Sequence, residues 1–167
     1  ELFSKIYSKQ NEYKKALVEL NKALAFYKNL TNTNKKNQHI AIAQSNIGEL
    51  HQKFNKPNLA LKAYNLAIQL FKNDSIKSNI NRINLLKTLK LKAKTLNSIN
   101  NYTETIKTVN FAITLLDQLK PSFKNNDDKL FLIEDAFPLF ESSIKAAYQL
   151  HKKNKDDTYI DNAFFYA

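Results

Sequence analysis

The sequence predicts an all-α fold built from repeated antiparallel helix pairs. Three observations lead to this prediction: glycine occurs once and proline three times in 167 residues, apolar residues recur at helical spacing, and one residue pattern returns along the chain. Sheets and loop-rich folds need both turn residues, which average proteins carry at roughly 7% glycine and 5% proline. A chain with so little of either is therefore expected to be almost entirely helical.

The clearest helix pair is predicted over residues 39–54 and 57–72. Apolar residues in the first segment recur at spacings of three and four, namely Ile40, Ala43, Ile47, Leu50 and Phe54. The second segment has the same periodicity in Leu61, Tyr64, Ala67, Ile68 and Phe71. Pro57 suits the first turn of a helix, and the connection before it is so short that the two helices must pack antiparallel. Small residues are expected where the helices approach most closely, at Gly48, Ala60 and Ala67.

The same pattern occurs three times. Its anchor positions Ala16, Ala60 and Thr105 lie 44 and 45 residues apart, and periods of this size indicate a helical repeat. The sequence thus predicts a single array over residues 1–167. The predicted repeats cover about residues 1–30, 38–74, 80–119 and, in divergent form, 128–167.

These residues resemble the tetratricopeptide repeat. In that family a hydrophobic and a small residue, here Ile47-Gly48, precede an alanine, an aromatic residue and an alanine on the second helix, here Ala60, Tyr64 and Ala67. The first repeat matches through Phe3-Ser4, Tyr7, Tyr13, Ala16, Leu20 and Ala23, and the third through Ala93, Leu96, Tyr102 and Ala112. The third repeat departs from the pattern at Lys92 and Thr105. The resemblance, closest to the long-period type of kinesin light chains, implies a right-handed α-α superhelix whose concave groove binds a peptide or protein.

The fourth repeat differs from the others. Asp127-Asp128 are expected to cap a helix, apolar periodicity continues over Leu130–Lys152, and Pro138 is expected to kink that helix. Asp156-Asp157 are expected to begin a last helix. Residues 140–164 resemble the repeats that precede a CHAT domain, a caspase-like protease domain of many bacterial proteins, and similar arrays precede sensor histidine kinases. The resemblance implies a cytoplasmic regulatory segment of a larger bacterial protein with a C-terminal effector.

Asn46 is the most specific candidate for partner binding. The resemblance places it where many family members hold a peptide backbone, and an amide offers both a donor and an acceptor. The alternative is a solvated polar residue without a ligand. The other candidate groove residues are Glu49, Lys53, Lys87, Lys90, Lys94 and Asn97.

Three of these candidates form a lysine row. Lys87, Lys90 and Lys94 are spaced i, i+3 and i+7, which places them on one helical face. Like charges so arranged repel one another, so the row suits an acidic partner. An exposed, solvated face in a lysine-rich chain is the alternative interpretation.

Two other functions remain open. A net charge of +11 permits non-specific nucleic-acid binding through a basic face, although Arg82 is the only arginine and arginine is preferred for phosphate contacts. The array could also serve purely as a spacer or self-association module, and we expect a monomer or weak homodimer.

Catalysis within this segment is not expected. The chain has no cysteine, and its three histidines, His39, His51 and His151, lack the clustering that metal sites need. We therefore predict no cofactor, no metal and no enzymatic activity. No apolar run is long enough to cross a membrane, so no membrane partner is expected either.

Overall fold

The structure, a computed structural model, describes residues 1–73, 78–122 and 126–161. Within these ranges the regular elements are helices and there is no strand, which confirms the all-α prediction. A 3₁₀ turn at Lys120–Ser122 follows α6, and residues 158–161 are helical again. The long helices are α1 (Leu2–Lys9), α2 (Tyr13–Lys28), α3 (Thr33–Lys53), α4 (Pro57–Asn73), α5 (Asn79–Ser98), α6 (Tyr102–Leu119) and α7 (Asn126–Asn154).

The predicted pair at residues 39–54 and 57–72 corresponds to α3 and α4, but α3 begins earlier than expected, at Thr33. Its start is set by Asn32, whose side chain accepts a hydrogen bond from the amide of Lys35 at 3.1 Å. This N-cap satisfies one of the unpaired amides of the first turn, so the helix extends into a polar stretch that lacks apolar periodicity.

The start of α7 also differs from prediction. The helix begins at Asn126, which places Asp127-Asp128 inside its first turn rather than before it, and their side chains lie outside the described residues. The helix continues through Pro138 without a break, although proline cannot donate to the preceding turn. Near the C-terminus, the Asp156 carboxylate accepts from the amide of Thr158 at 3.0 Å, as expected for the start of a last helix. That predicted helix is described only to Asp161.

The chain forms two compact units, an N-terminal unit of Glu1–Thr88 and a C-terminal unit of Leu89–Ala167. In the N-terminal unit, α1 pairs with α2, α2 with α3, and α3 with α4. A buried cluster holds these helices together, formed by Ala16, Leu20, Ile47, Leu50 and Ala63, with Tyr7, Tyr13, Leu17, Leu24 and Phe54 against it. In the C-terminal unit, α6 packs on α7.

The bend inside each of the first three helix pairs has the same conformation. Asn11, Asn55 and Asn100 have left-handed backbones, with φ of 60°, 53° and 59°. In the second pair, the Asn55 amide donates to the Gln52 carbonyl at 3.0 Å and the Lys56 amide to the His51 carbonyl at 2.9 Å. The other two bends have the equivalent bonds. This is the Schellman ending of a helix, and asparagine is the residue other than glycine that best tolerates it.

Small residues lie where α3 and α4 meet, as the sequence predicts. Ala60 and Ala67 have no exposed surface, and neither does the Tyr64 ring between them. A Cβ atom built on Gly48 would lie 2.6 Å from Cδ1 of Tyr64 and 3.0 Å from its Cζ. The absence of a side chain at residue 48 therefore makes room for the tyrosine ring.

Candidate functional site

Asn46, Glu49 and Lys53 lie on one face of α3 because they are spaced i, i+3 and i+7. Glu49 is exposed and Asn46 is half-buried. Among the residues that the structure describes, neither side chain has a hydrogen-bond partner. Both the donor and the acceptor of the Asn46 amide are therefore unused among the described residues.

Lys53, the third residue of this face, is held within the N-terminal unit. Its ammonium group donates to the main-chain carbonyl of Ser8 and also lies 3.2 Å from the Ser8 hydroxyl. Ser8 belongs to the last turn of α1, where the carbonyl groups give the helix end a partial negative charge that a cation stabilises. Lys53 therefore links α3 to α1.

Similar polar links join other first helices of successive pairs. In the N-terminal unit, the Thr88 hydroxyl of α5 donates to the Ser45 hydroxyl of α3 at 3.1 Å. In the C-terminal unit, the Asn97 side-chain amide donates to the Ser142 carbonyl of α7 at 2.9 Å. These partners, like Lys53 and Ser8, are separated by about one repeat. Sequence reasoning missed the links, although polar residues one period apart were the available signal.

Asn97 is placed differently from the other candidate groove residues. Only 8% of it is exposed, and its amide nitrogen is committed to the Ser142 carbonyl. Its Oδ1 atom is buried and has no hydrogen-bond partner among the described residues. The side chain therefore has a packing role in the C-terminal unit that its position in the repeat did not indicate.

The three lysines of the predicted row all belong to α5. Lys87, in the N-terminal unit, is exposed. In the C-terminal unit Lys94 is exposed and Lys90 is half-buried. Their positive charges thus remain at the surface of the helix.

A polar contact inside the N-terminal unit joins Tyr13 of α2 to His51 of α3. The tyrosine hydroxyl and His51 Nδ1 are 2.9 Å apart, and the Phe54 ring lies 5.1 Å from the Tyr13 ring. Burial lowers the pKa of His51, and the nearby Lys56 ammonium lowers it further. Both effects favour the neutral imidazole, as expected for an interhelix histidine.

This pKa shift predicts a loss of stability in mild acid. The pKa of His51 in the folded chain lies below the ordinary value of 6.5. As the pH falls through that value, His51 therefore takes up a proton in the unfolded chain before it does so in the folded chain. The free energy of unfolding should therefore decrease from pH 7.5 to pH 5.5. Urea unfolding at the two pH values measures the decrease, which His51→Gln should reduce. If the free energy of unfolding depends on pH equally in His51→Gln and in the unchanged protein, His51 is not the cause of the decrease.

The described residues contain no cluster of three or more histidine, aspartate or glutamate side chains that could hold a metal ion. In the same part of the chain, no helix combines the length and the apolar character needed to cross a membrane.

Comparisons with protein-family models, curated proteins and solved structures found no match to this chain. The resemblance to tetratricopeptide repeats accordingly remains a prediction that depends on the residues quoted above.

Proposed function

We propose that this chain is a protein–protein interaction scaffold of the tetratricopeptide type. Its helix pairs would stack into a right-handed α-α superhelix, and the first helix of each pair would face a bound peptide or protein segment. The observation that carries the proposal is Asn46, whose half-buried amide has no partner among the described residues. A half-buried amide without a partner suits a peptide backbone, which presents alternating donors and acceptors.

Two further features support a peptide ligand. The polar links from Lys53 to Ser8 and from Thr88 to Ser45 hold first helices of the N-terminal unit together, so Asn46 lies on a surface fixed before binding. The lysine row of α5 supplies positive charge, which favours a ligand with acidic side chains.

The test is selection of short random peptides displayed on phage against the purified chain, followed by binding measurements with the selected peptides. Asn46→Ala removes the hydrogen bond from the side-chain amide to the peptide backbone, which should weaken peptide binding about three- to tenfold. Lys90→Glu should weaken the binding of acidic peptides by a similar factor. Most of this loss should come from a slower association rate, which depends on salt.

Matched controls lie on α4, the second helix of its pair. Asn65 and Lys62 are both exposed, so Asn65→Ala and Lys62→Glu repeat the same chemical changes away from the first helices. Equal binding by all four variants would contradict the groove assignment, and so would a selection that enriches no peptide.

Nucleic-acid binding is a second candidate, favoured by lysines that lie over aromatic rings in the N-terminal unit. Lys56 lies 5.2 Å from the ring centroid of Tyr13 and Lys15 5.6 Å from that of Tyr7. Random oligonucleotides retained at about 200 mM salt would support this function, whereas loss near 100 mM would indicate only non-specific attraction.

The scaffold would regulate an effector domain of the same polypeptide. This part of the proposal is supported by the resemblance of residues 140–164 to the repeats that precede caspase-like domains. The test is the activity of a full-length protein, which a selected peptide should change. In the Asn46→Ala variant the same change should need about three- to tenfold more peptide.

A further inference from the structure

Among the α7 side chains that the structure describes, four large apolar ones are exposed. Leu130 is 55% exposed, Phe137 59%, Ile144 36% and Tyr148 55%. Their spacings of seven, seven and four residues place them within about 40° of one another around the helix axis, at about 100° per residue. Together they form one row, which we call the α7 stripe.

The α7 stripe lies opposite the side of the helix that is buried in the C-terminal unit. That buried side includes Leu139, Ser143 and Ala146, none of which has exposed surface, and Leu150, which is 7% exposed. The helix thus has apolar residues on two sides, and among the described residues one of these sides is buried in the unit. Exposed apolar rows of this kind mark interaction surfaces, and a seven-residue spacing is typical of helices that pair along their length.

Charged residues beside the stripe show which partner it fits. Glu134, Glu141, Lys145 and Lys152 are all exposed and lie on the same flank of the stripe. None of the four has an ion-pair partner among the described residues. Glu134 and Lys152 are equally distant in sequence from Ser143, and so are Glu141 and Lys145. When two copies of this flank run in opposite directions, each glutamate therefore lies opposite a lysine of the other copy.

We propose that α7 pairs antiparallel with α7 of a second copy of this chain, about a two-fold axis near Ser143. Such an axis brings each flank against the same flank of the other copy, as in an isologous dimer. Glu134 would then meet Lys152 of the partner subunit, and Glu141 would meet Lys145 of the partner subunit. A parallel pair would instead place residues of the same number side by side and leave these charges without opposite partners.

The apolar residues agree with the same axis. Phe137 lies six residues before Ser143 and Tyr148 five residues after it, so each ring packs against the other type of ring across the pair. Ile144 lies next to the axis and contacts its own counterpart. The proposed interface thus has an apolar centre and charged edges, and it is independent of the peptide-binding function proposed above.

Sedimentation of the full chain across a range of micromolar concentrations, in about 150 mM salt, tests the proposal. The unchanged protein should shift from monomer to dimer. Lys145→Glu with Lys152→Glu makes the flank wholly acidic, and Glu134→Lys with Glu141→Lys makes it wholly basic. For each double variant alone, the dissociation constant of the dimer should rise about 10- to 100-fold, because four ion pairs become four repulsions. An equal mixture of the two should dimerise again.

The variant with all four charges exchanged should dimerise like the unchanged protein, which separates loss of pairing from loss of folding. Lys14→Glu with Lys62→Glu changes the net charge by the same amount as the acidic double variant, but in the N-terminal unit. This control should leave dimerisation unaltered. The proposal is wrong if the unchanged chain stays monomeric at every concentration. That result is expected if another segment of the same chain covers the α7 stripe. It is equally wrong if the mixture of acidic and basic variants forms no heterodimer.

Discussion

Phe71→Ala is expected to lower the free energy of unfolding by about 3–5 kcal/mol, the usual cost of removing a buried aromatic ring. Phe71 lies near the end of α4 and only 1% of it is exposed. Truncation removes its apolar contacts and leaves a cavity that the surrounding side chains fill only in part. Urea unfolding followed by circular dichroism at 222 nm measures the loss.

Phe26→Ala is the matched control for this prediction. Phe26 lies near the end of α2 and is 66% exposed, so the same truncation should change the free energy of unfolding by no more than about 0.5 kcal/mol. Similar losses in the two variants would show that the burial of Phe71 is misassigned.

Gly48→Ala is expected to destabilise the protein by about 1–3 kcal/mol, although alanine is the better helix former by about 1 kcal/mol. The added Cβ would lie 2.6 Å from Cδ1 of Tyr64, and the ring is fully buried, so it cannot turn away without disturbing its neighbours. Its hydroxyl also donates to Gln52 Oε1 at 3.0 Å, which further fixes the ring. The same urea experiment measures the effect.

A double-mutant cycle tests the physical reason. In a Tyr64→Leu background the ring is absent, so Gly48→Ala should cost much less or become stabilising through helix propensity. If the alanine costs the same in both backgrounds, the contact between residues 48 and 64 does not explain the glycine.

Much of the N-terminal unit could be predicted from the sequence because its helices have one apolar face each. The spacing of apolar residues and Pro57 identified α3 and α4 almost to the residue at their shared bend. The start of α3 could not be found in this way, since it depends on Asn32 as a cap in a stretch where several asparagines offer the same side chain. Apolar periodicity reports burial, and this polar stretch has no apolar periodicity.

The candidate site shows a different limit. Its residues were chosen by their place in the repeat, and the structure leaves Glu49 exposed and Asn46 half-buried on α3. That place could not reveal that Asn97 is buried, because the reason is a main-chain carbonyl at Ser142, on another helix. It also could not reveal that Lys53 reaches Ser8. A polar side chain gives the same sequence signal whether it faces a ligand or links two helices.

The asparagine bends have a consequence for how such a chain can change in length. Each bend is closed by hydrogen bonds between residues no more than five positions apart, so reversal of the chain needs no contact from elsewhere. Asn11, Asn55 and Asn100 are separated by 44 and 45 residues, yet they share one conformation. The extra residue is therefore absorbed outside the bends, and insertions or duplications of whole helix pairs can enter there while every hairpin keeps its own geometry.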